Sequence, residues 1–340
     1  MGLDFSMSDG AATRPVTVLS HGAGQDSMAM LAKCVFSAAW RERYVVGDLI
    51  VVHSDTGDEH PDTYAYIEKV LKPFCAAWNI PFFHLTLDLG YHPPSWSGGL
   101  RAQYRKNSTV GLMKTRARAC TDNLKIVPIY KFLDEYLGRR YDLTWGLKRG
   151  LKSYAKRFGK LRVMIGFAKG EERRVKGIVE DPQLALALGD SARDSVPGVL
   201  TDKWMVEGVD RFYPLIDEGI DRAGAQAYVA ECGLAVPPPS NCMACHFKSP
   251  AEIAWTALTL PEFFDDWCAL EEAKLSADKT RVDKHGKPVK SDTVKGGETL
   301  RQIFERTYND LQQTIGDHTR ILAYLSDYRH SHGHCVTNSM

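Results

Sequence analysis

The sequence predicts an α/β protein: a mostly parallel sheet of five or six strands with helices on both faces, followed by a helical C-terminal region. Three observations predict it. Short β-branched runs alternate with amphipathic stretches from residue 16 to residue 88, the signature of consecutive strand–helix–strand units. A glycine-rich loop sits where the first strand hands over to the first helix. The 340 residues are 44% hydrophobic and 25% charged, a globular composition with material for a sizeable core and none of the marks of global disorder.

The elements follow in order. VTVLS (16–20) reads as a strand, HGAGQDS as a tight loop, and SMAMLAKCVFSAAW as a helix with apolar residues at helical spacing. DLIVVHSDTG (48–57) is a second strand ending in small polar residues, and PDTYAYIEKVLKPFCAAWN a helix with Pro61 suited to its first turn. IPFFHLTLD (80–88) is a third strand. Residues 90–119, rich in Gly, Pro, Ser and Arg, read as a long loop of the kind that carries function. NLKIVPIYKFLDEYLG (123–138) reads as a helix, RVMIGFA (162–168) as a strand running into GEERR, and 180–210 as an insertion. RFYPLI (211–216) is a further strand. DRAGAQAYVAECGL (221–234) is a helix with Asp221 as N-cap and Gly233 as its stop. A proline linker (236–239) leads to a cysteine pair, and residues 250–275 and 298–328 read as helices around a charged loop. The domain organisation expected is a tail (1–14), a nucleotide-binding domain (15–235), a cysteine-pair segment with helical region (236–330) and a second tail (331–340).

No apolar run reaches the length that spans a bilayer, and MGLDFSMSDGAATRP lacks the apolar core of a signal peptide. A cytoplasmic protein is therefore expected. The net charge is only +1, yet residues 101–174 hold twenty Lys or Arg against six Asp or Glu. That excess points to a polyanionic partner or, more blandly, to solvated helix faces. Tyr104, Tyr141, Trp145, Tyr154 and Phe158 are interleaved with these cations, which suits stacking of unpaired bases unless the rings are simply core.

Eight cysteines without a secretory signal argue for metal or redox chemistry over a disulfide framework. Cys242 and Cys245 have the spacing that lets two thiolates face one metal; Cys120 and Cys232 complete a four-thiolate set if the fold gathers them. An iron–sulfur cluster, a structural zinc, a metal-free thiol pair and plain core cysteines are the competing readings. Cys34, Cys75 and Cys268 sit on apolar helix faces and are expected in the core. Cys335 lies in a His-rich tail.

The loop Ser20-His21-Gly22-Ala23-Gly24-Gln25-Asp26-Ser27 lacks both the Gly-Lys-Ser/Thr of a Walker A loop and the G-x-G-x-x-G dinucleotide spacing. A glycine loop ahead of a helix still offers backbone N–H groups and a positive helix end to a phosphate. It resembles the PP-loop of N-type ATP pyrophosphatases, S-G-G-x-D-S: Gly24, Asp26 and Ser27 match, whereas Gly22 and Ala23 stand where the pattern has Ser and Gly. The variant is similar to loops of the phosphoadenosine-phosphosulfate reductase-like branch, which includes phage-encoded members and is related to sulfurtransferases acting on DNA backbone and tRNA. Four more segments follow in that branch's order. Ser54-Asp55-Thr56-Gly57 with His60-Pro61-Asp62-Thr63-Tyr64 resembles D-T-G…P-E-T-Y. Cys120-Thr121-Asp122-Asn123-Leu124-Lys125 to Pro128 resembles C-T-x-x-L-K-x-x-P. Gly166-Phe167 through Glu171-Glu172-Arg173-Arg174 resembles G-x-R-x-x-E-S-x-R-R. Tyr213-Pro214-Leu215 and Ser240 to Phe247 resemble Y-P-L…S-x-C-x-x-C-P-F. The resemblance spans roughly residues 15–250.

The resemblance implies an adenine nucleotide alpha hydrolase-like fold that binds ATP with Mg2+. Residues 20–27 would hold the phosphates, with Asp26 and Ser27 catalytic. Asp55, Thr56 and Gly57 would lie near the ribose or adenine, and Lys125, Arg173 and Arg174 would supply positive charge. Cys120, Cys242 and Cys245 fall on the positions that hold a 4Fe-4S cluster in sulfur-transferring members, with Cys232 or His246 as fourth ligand and zinc as the alternative metal. The implied chemistry is adenylylation of an acceptor, a tRNA base or DNA backbone, followed by sulfur transfer from a donor such as a cysteine desulfurase. A reductase of adenylylated sulfate, a nucleotide-binding regulatory or defence module without turnover, and a zinc-stapled nucleic-acid binder are the other readings.

Overall fold

The computed structural model describes residues 13–112, 119–172, 175, 203–283 and 285–332. In chain order the elements are β1 (Val16–Ser20), α1 (Gln25–Phe36), α2 (Ala38–Tyr44), β2 (Asp48–Ser54), α3 (Pro61–Tyr66), α4 (Lys72–Ala77), β3 (Phe82–Leu85), α5 (Gly99–Asn107), α6 (Ala119–Thr121), α7 (Val127–Tyr141), α8 (Arg149–Phe158) and β4 (Leu161–Ile165). Then come α9 (Lys203–Gly208), β5 (Val209–Phe212), α10 (Pro214–Asp217), α11 (Arg222–Glu231), α12 (Pro250–Thr259), α13 (Pro261–Asp278), α14 (Leu300–Thr314) and α15 (His318–His332). Two compact units result: Met1–Thr56 with Pro61–Ser97 and Arg118–Pro238, and Gly57–His60 with Gly98–Ala117 and Pro239–Met340.

The first unit carries a five-stranded sheet in the order β3-β2-β1-β4-β5, parallel throughout. Its strands bury both faces, as parallel strands under helices must. Leu49 and Val51 of β2 enter one core with α1, while Ile50 and Val52 enter the opposite core with α7 and α8. Cys34 and Cys75 lie in the first of these cores, where burial pushes both thiols up to about 12. The chain winds from β1 towards β3 and then restarts with β4 on the other side of β1. The crevice outside the carboxyl ends of β1 and β4 is therefore the topological switch point, the place where such sheets bind ligands.

Several predicted elements shift. Helix α1 ends at Phe36 because Ser37 turns extended and caps α2 through its side chain to the Trp40 N–H. The helix expected after β2 is interrupted by a π turn, Ile67–Leu71, and a second π turn, Asp122–Ile126, precedes α7. Each ends just ahead of a proline, Pro73 and Pro128, whose ring and missing N–H the wider turn accommodates. The 90–119 loop contains α5. The strand expected at 211–216 is β5, ending at Phe212, followed by the helical turn α10. The insertion at 180–210 lies largely outside the described residues.

The second unit is helical. Ser249 and Thr299 open α12 and α14 with capping boxes, closed by Glu252 and Gln302. Ala254, Trp255, Ile321 and Leu325 form a small apolar core, and Cys268 is buried on α13 with its thiol raised to about 12 by burial. Among the described residues no helix is long and apolar enough to cross a membrane.

Candidate functional site

The loop after β1 is built around a backbone conformation that glycine normally supplies. Ala23 has φ of 55°, left-handed and costly for a residue with a Cβ. It stands where the resembled pattern has Gly. Its N–H is satisfied locally by donating to His21 Nδ1 at 3.0 Å. Accepting there leaves the His21 proton on Nε2 and the ring neutral. Burial, with neighbouring His53 adding to it, lowers His21 to about 3. His53 donates from Nδ1 to the His21 carbonyl at 2.8 Å and is itself lowered to about 4, chiefly by burial. The carbonyl of the N-cap Gly24 accepts from Met28 N–H at 3.0 Å and from Ser27 Oγ at 3.0 Å. The loop thus brings the first turn of α1, positive end outward, to the switch-point crevice.

Gly166, just past β4, makes this possible. A Cβ there would lie 3.1 Å from Ser27 N and 3.4 Å from Asp26 C, so a larger residue would press on the first turn of α1 by a few tenths of an ångström and glycine lets it sit close. Side chains then lock that turn from α11. Arg222 Nη2 pairs with Asp26 Oδ2 at 3.0 Å and with Glu171 Oε1 at 3.3 Å. Gln25 accepts from Gln226 Nε2 at 2.9 Å and donates to the Pro237 carbonyl at 3.2 Å.

The end of β2 supplies the second wall. Asp55 N–H donates to the Leu85 carbonyl at 3.0 Å, and Asp55 Oδ1 accepts from Tyr64 OH at 2.7 Å. Ser54 Oγ donates to the Leu124 carbonyl at 2.7 Å, tying β2 to the π turn that carries Lys125. The Lys125 charge is felt at His53, whose pKa it depresses. His92 Nε2 donates to the Asp55 carbonyl at 2.8 Å, and burial holds that ring below its ordinary value. At the ends of β4 and β5 the rings of Phe167 and Tyr213 stack, centroids 5.4 Å apart and 7° from parallel.

In the first unit the structure therefore brings Ser20, Gly22, Ala23, Gly24, Gln25, Asp26 and Ser27 to one edge with Asp55, Thr56 and Lys125. Thr56 is buried. Gly57, with φ of 72°, begins a segment of the second unit. Arg173 and Arg174 lie outside the described residues. Cys232 caps the far end of α11, ten residues from Arg222, beside Tyr228; a helix of that length puts it about 15 Å from the Asp26 contact.

The cysteine pair occupies a turn in the second unit. Cys245 N–H donates to the Cys242 carbonyl at 3.2 Å, and Met243 N–H to the Asp58 carbonyl at 2.8 Å. Cys242 Sγ is 3.9 Å from Glu59 Oε1. Two amines back the turn. Lys295 Nζ donates to the carbonyls of Lys248 at 2.9 Å and His246 at 3.3 Å. Lys248 is buried, donates to Thr256 Oγ1 at 2.9 Å, and is lowered to about 8 by burial against the opposing pull of Glu252. His246 packs its ring where a Cβ on Gly111 would clash at 2.2 Å. Cys120 and Cys232 belong to the first unit. Among the described residues no three of His, Cys, Asp or Glu stand together as a metal site. The described donor set is two thiols, half of what a four-thiolate cluster requires.

Sequence reasoning missed Arg222, Gln226 and the buried histidines. Arg222 had a signal: a cation directly after an N-cap opposes the helix dipole, so its place there implies another partner. The aromatics of the basic segment need correction. Tyr104, Tyr141 and Tyr154 are buried; Tyr154 OH accepts from Val16 N–H at 2.9 Å and its ring packs on Tyr141 and Phe158. These rings hold the fold together, and Trp145 alone among the five is substantially exposed.

No protein-family profile matches the sequence. The chain is 27% identical over 147 residues to the uncharacterized nin region protein ORF290 of Escherichia phage lambda, covering 38% of this chain and 47% of that one. It thus spans about half the length of that relative. It also resembles the U34-tRNA thiolase NcsA of Methanococcus maripaludis, solved with its [4Fe-4S] cluster, at a TM-score of 0.37 and 14% identity over 90% of this chain and 75% of the other. At these similarities neither protein assigns an activity to this one.

Proposed function

We propose that the protein is an ATP pyrophosphatase that adenylylates an acceptor and couples this to sulfur transfer, with a nucleic acid, tRNA or DNA, as acceptor. The observation that carries the reading is the β1–α1 junction: a left-handed residue at position 23, a glycine N-cap and a glycine floor at position 166 shape a phosphate cradle at the switch point. An acceptor oxygen attacks the α-phosphate of ATP. The bond to the β-phosphate oxygen breaks and pyrophosphate leaves, its charge met by loop N–H groups and Lys125; a Mg2+ bound with the nucleotide would supply further neutralisation. Ser27, Asp55, Thr56 and Gly57 frame the nucleotide, and Arg173 and Arg174 add positive charge by their place in the motif. A sulfur nucleophile then displaces AMP, since adenylylation has turned a poor oxygen leaving group into a good one. Cys242 and Cys245 handle the sulfur, delivered by a donor such as a cysteine desulfurase. Cys120 and Cys232 remain the further ligands of a proposed 4Fe-4S cluster, with zinc as the rival metal. No step here depends on that group.

Pyrophosphate release from Mg-ATP tests the reading, and Lys125→Ala is expected to lower it at least tenfold. ATP binding without pyrophosphate in any condition would instead favour a nucleotide-binding module without turnover. The ion pair that holds Asp26 to Arg222 supports that second reading. Anaerobic purification with iron, zinc and acid-labile sulfide analysis tests the cysteine site. Iron and sulfide lost in Cys242→Ala/Cys245→Ala would support sulfur transfer; zinc without sulfide would make the pair a staple.

A further inference from the structure

The connection from α7 to α8 holds a large apolar side chain in water at a conformational cost. Leu147 is 92% exposed and Trp145 43%. Gly146, Leu147 and Lys148 have φ of 88°, 52° and 65°, three left-handed residues in a row, two of them with side chains. A buried carboxylate fixes this shape. Asp134 on α7 accepts from the N–H groups of Gly146 at 2.7 Å, Lys148 at 3.2 Å and Leu151 at 3.0 Å. Gly150 has no Cβ because one would meet the Asp134 carbonyl at 2.1 Å, and Gly138 leaves room for the Trp145 ring, which Arg139 also contacts at 5.1 Å. Asp or Asn at position 147 would relieve strain, yet the chain carries Leu. Strain held this firmly around an exposed side chain points to display.

The surroundings say what is met there. Helix α8 contains no acidic residue, and its exposed side bears Arg149, Lys152, Lys156 and Arg157, with Lys160 just beyond. Among the described residues none of these five forms an ion pair. Of the acids on neighbouring elements, Glu135 pairs with Arg139 at 2.8 Å, Asp142 sits at the end of α7, and Glu207 lies on α9, which packs against α8. An indole and an aliphatic wedge beside a cationic track match a single-stranded nucleic acid, in which bases stack on aromatic rings and phosphates follow the positive charge.

We propose that the Trp145–Lys148 turn and the cationic side of α8 form a docking surface for single-stranded nucleic acid. Trp145 stacks on a base, Leu147 wedges beside it, and Lys152 and Lys156 take phosphates. The inference rests on the reading that the acceptor is a nucleic acid and names the surface that receives it.

Fluorescence anisotropy with a fluorescein-labelled single strand of roughly 16 nucleotides tests it on the full chain. Leu147→Asn, which favours the left-handed conformation and keeps the fold, is expected to weaken binding roughly tenfold with an unchanged or higher unfolding midpoint. Lys152→Gln/Lys156→Gln should flatten the dependence of log affinity on log salt by about 1.4. Wild-type binding that neither variant alters would overturn the docking surface and leave the acceptor reading standing. Absence of wild-type binding, with pyrophosphate release intact, would overturn both the surface and the nucleic-acid acceptor. Leu147-dependent binding to phosphatidylserine vesicles in place of the strand would overturn the proposal in favour of a membrane contact.

Discussion

The carboxyl edge of the sheet and the cysteine turn of the second unit differ in what they bury: a group of histidines at the first, an amine and a carboxylate at the second. At the sheet edge His21, His53 and His92 are held neutral, each fixed by a backbone group that accepts or donates at 2.8–3.0 Å. Around the cysteine turn buried charge is kept and capped: Glu252 accepts from Asn241 Nδ2 at 2.6 Å and Ser249 N–H at 2.9 Å, and Lys248 donates to Thr256. Neutral imidazoles add no charge of their own to an edge that carries a positive helix end. The amines of Lys248 and Lys295 keep positive charge at the cysteine turn. The two designs also respond differently to proton concentration.

Acid separates them most strongly. His21 and His53 have folded values of about 3 and about 4 against 6.5 when unfolded. The unfolded chain therefore binds more protons below pH 6.5, and stability present above that value is lost as pH falls towards the folded values. Each ring withdraws about 1.4 kcal/mol per pH unit, on the order of 4 kcal/mol for the two between pH 6.5 and about pH 5. Urea unfolding across this range should show the loss, smaller in His53→Gln. A flat profile would mean that the rings are not held neutral.

Arg222→Ala comes next. It strips the guanidinium from Asp26 and Glu171, both largely buried, at a cost of about 3 kcal/mol, because a buried charge that loses its partner is destabilising. The first turn of α1 should loosen with it, so nucleotide affinity should fall together with the urea midpoint. Loss of stability with full ATP affinity would show that the ion pair supports the fold and not the cradle.

This contrast also decides what could be read from the sequence. The parallel sheet, the loop after β1 and the Asp55 strand end were legible because each is local: a β-branched run, a glycine turn and a helix start lie next to each other in the chain. Ala23 could be flagged only as a departure from a pattern; its left-handed φ explains why glycine is the usual occupant. Arg222 lies 196 positions from Asp26, and no local rule connects them. The π turns were hidden because the helical pattern runs on through Pro73 and Pro128 and gives no sign of the widened turn that precedes each. The stacking role given to Tyr141 and Tyr154 failed because a basic, aromatic segment has the same composition whether its rings face solvent or core.

On the charged side of the comparison, Lys248→Met should change stability by no more than about 1 kcal/mol, with a lean towards stabilisation. The substitution removes a desolvated cation and keeps its volume, while Glu252 retains Asn241 and the Ser249 N–H. A loss of more than about 3 kcal/mol in urea unfolding would mean that the amine is a net stabiliser of the turn and that buried charge there serves stability, not the thiols.

The smallest effect belongs to the neutral side. Ala23→Gly relieves a left-handed Cβ but gives the unfolded chain more freedom. These terms oppose, at about 1–2 kcal/mol and about 0.4–1 kcal/mol, so a net gain of about 0.5 kcal/mol is expected in urea unfolding. The Ala23 N–H bond to His21 is a backbone contact and survives the change. ATP affinity should therefore hold or improve, since glycine lets the loop approach a phosphate more closely. A fall in affinity would instead show that the Ala23 methyl group, fully buried in the core beside α1, fixes the loop and that the alanine is a functional departure from the glycine pattern.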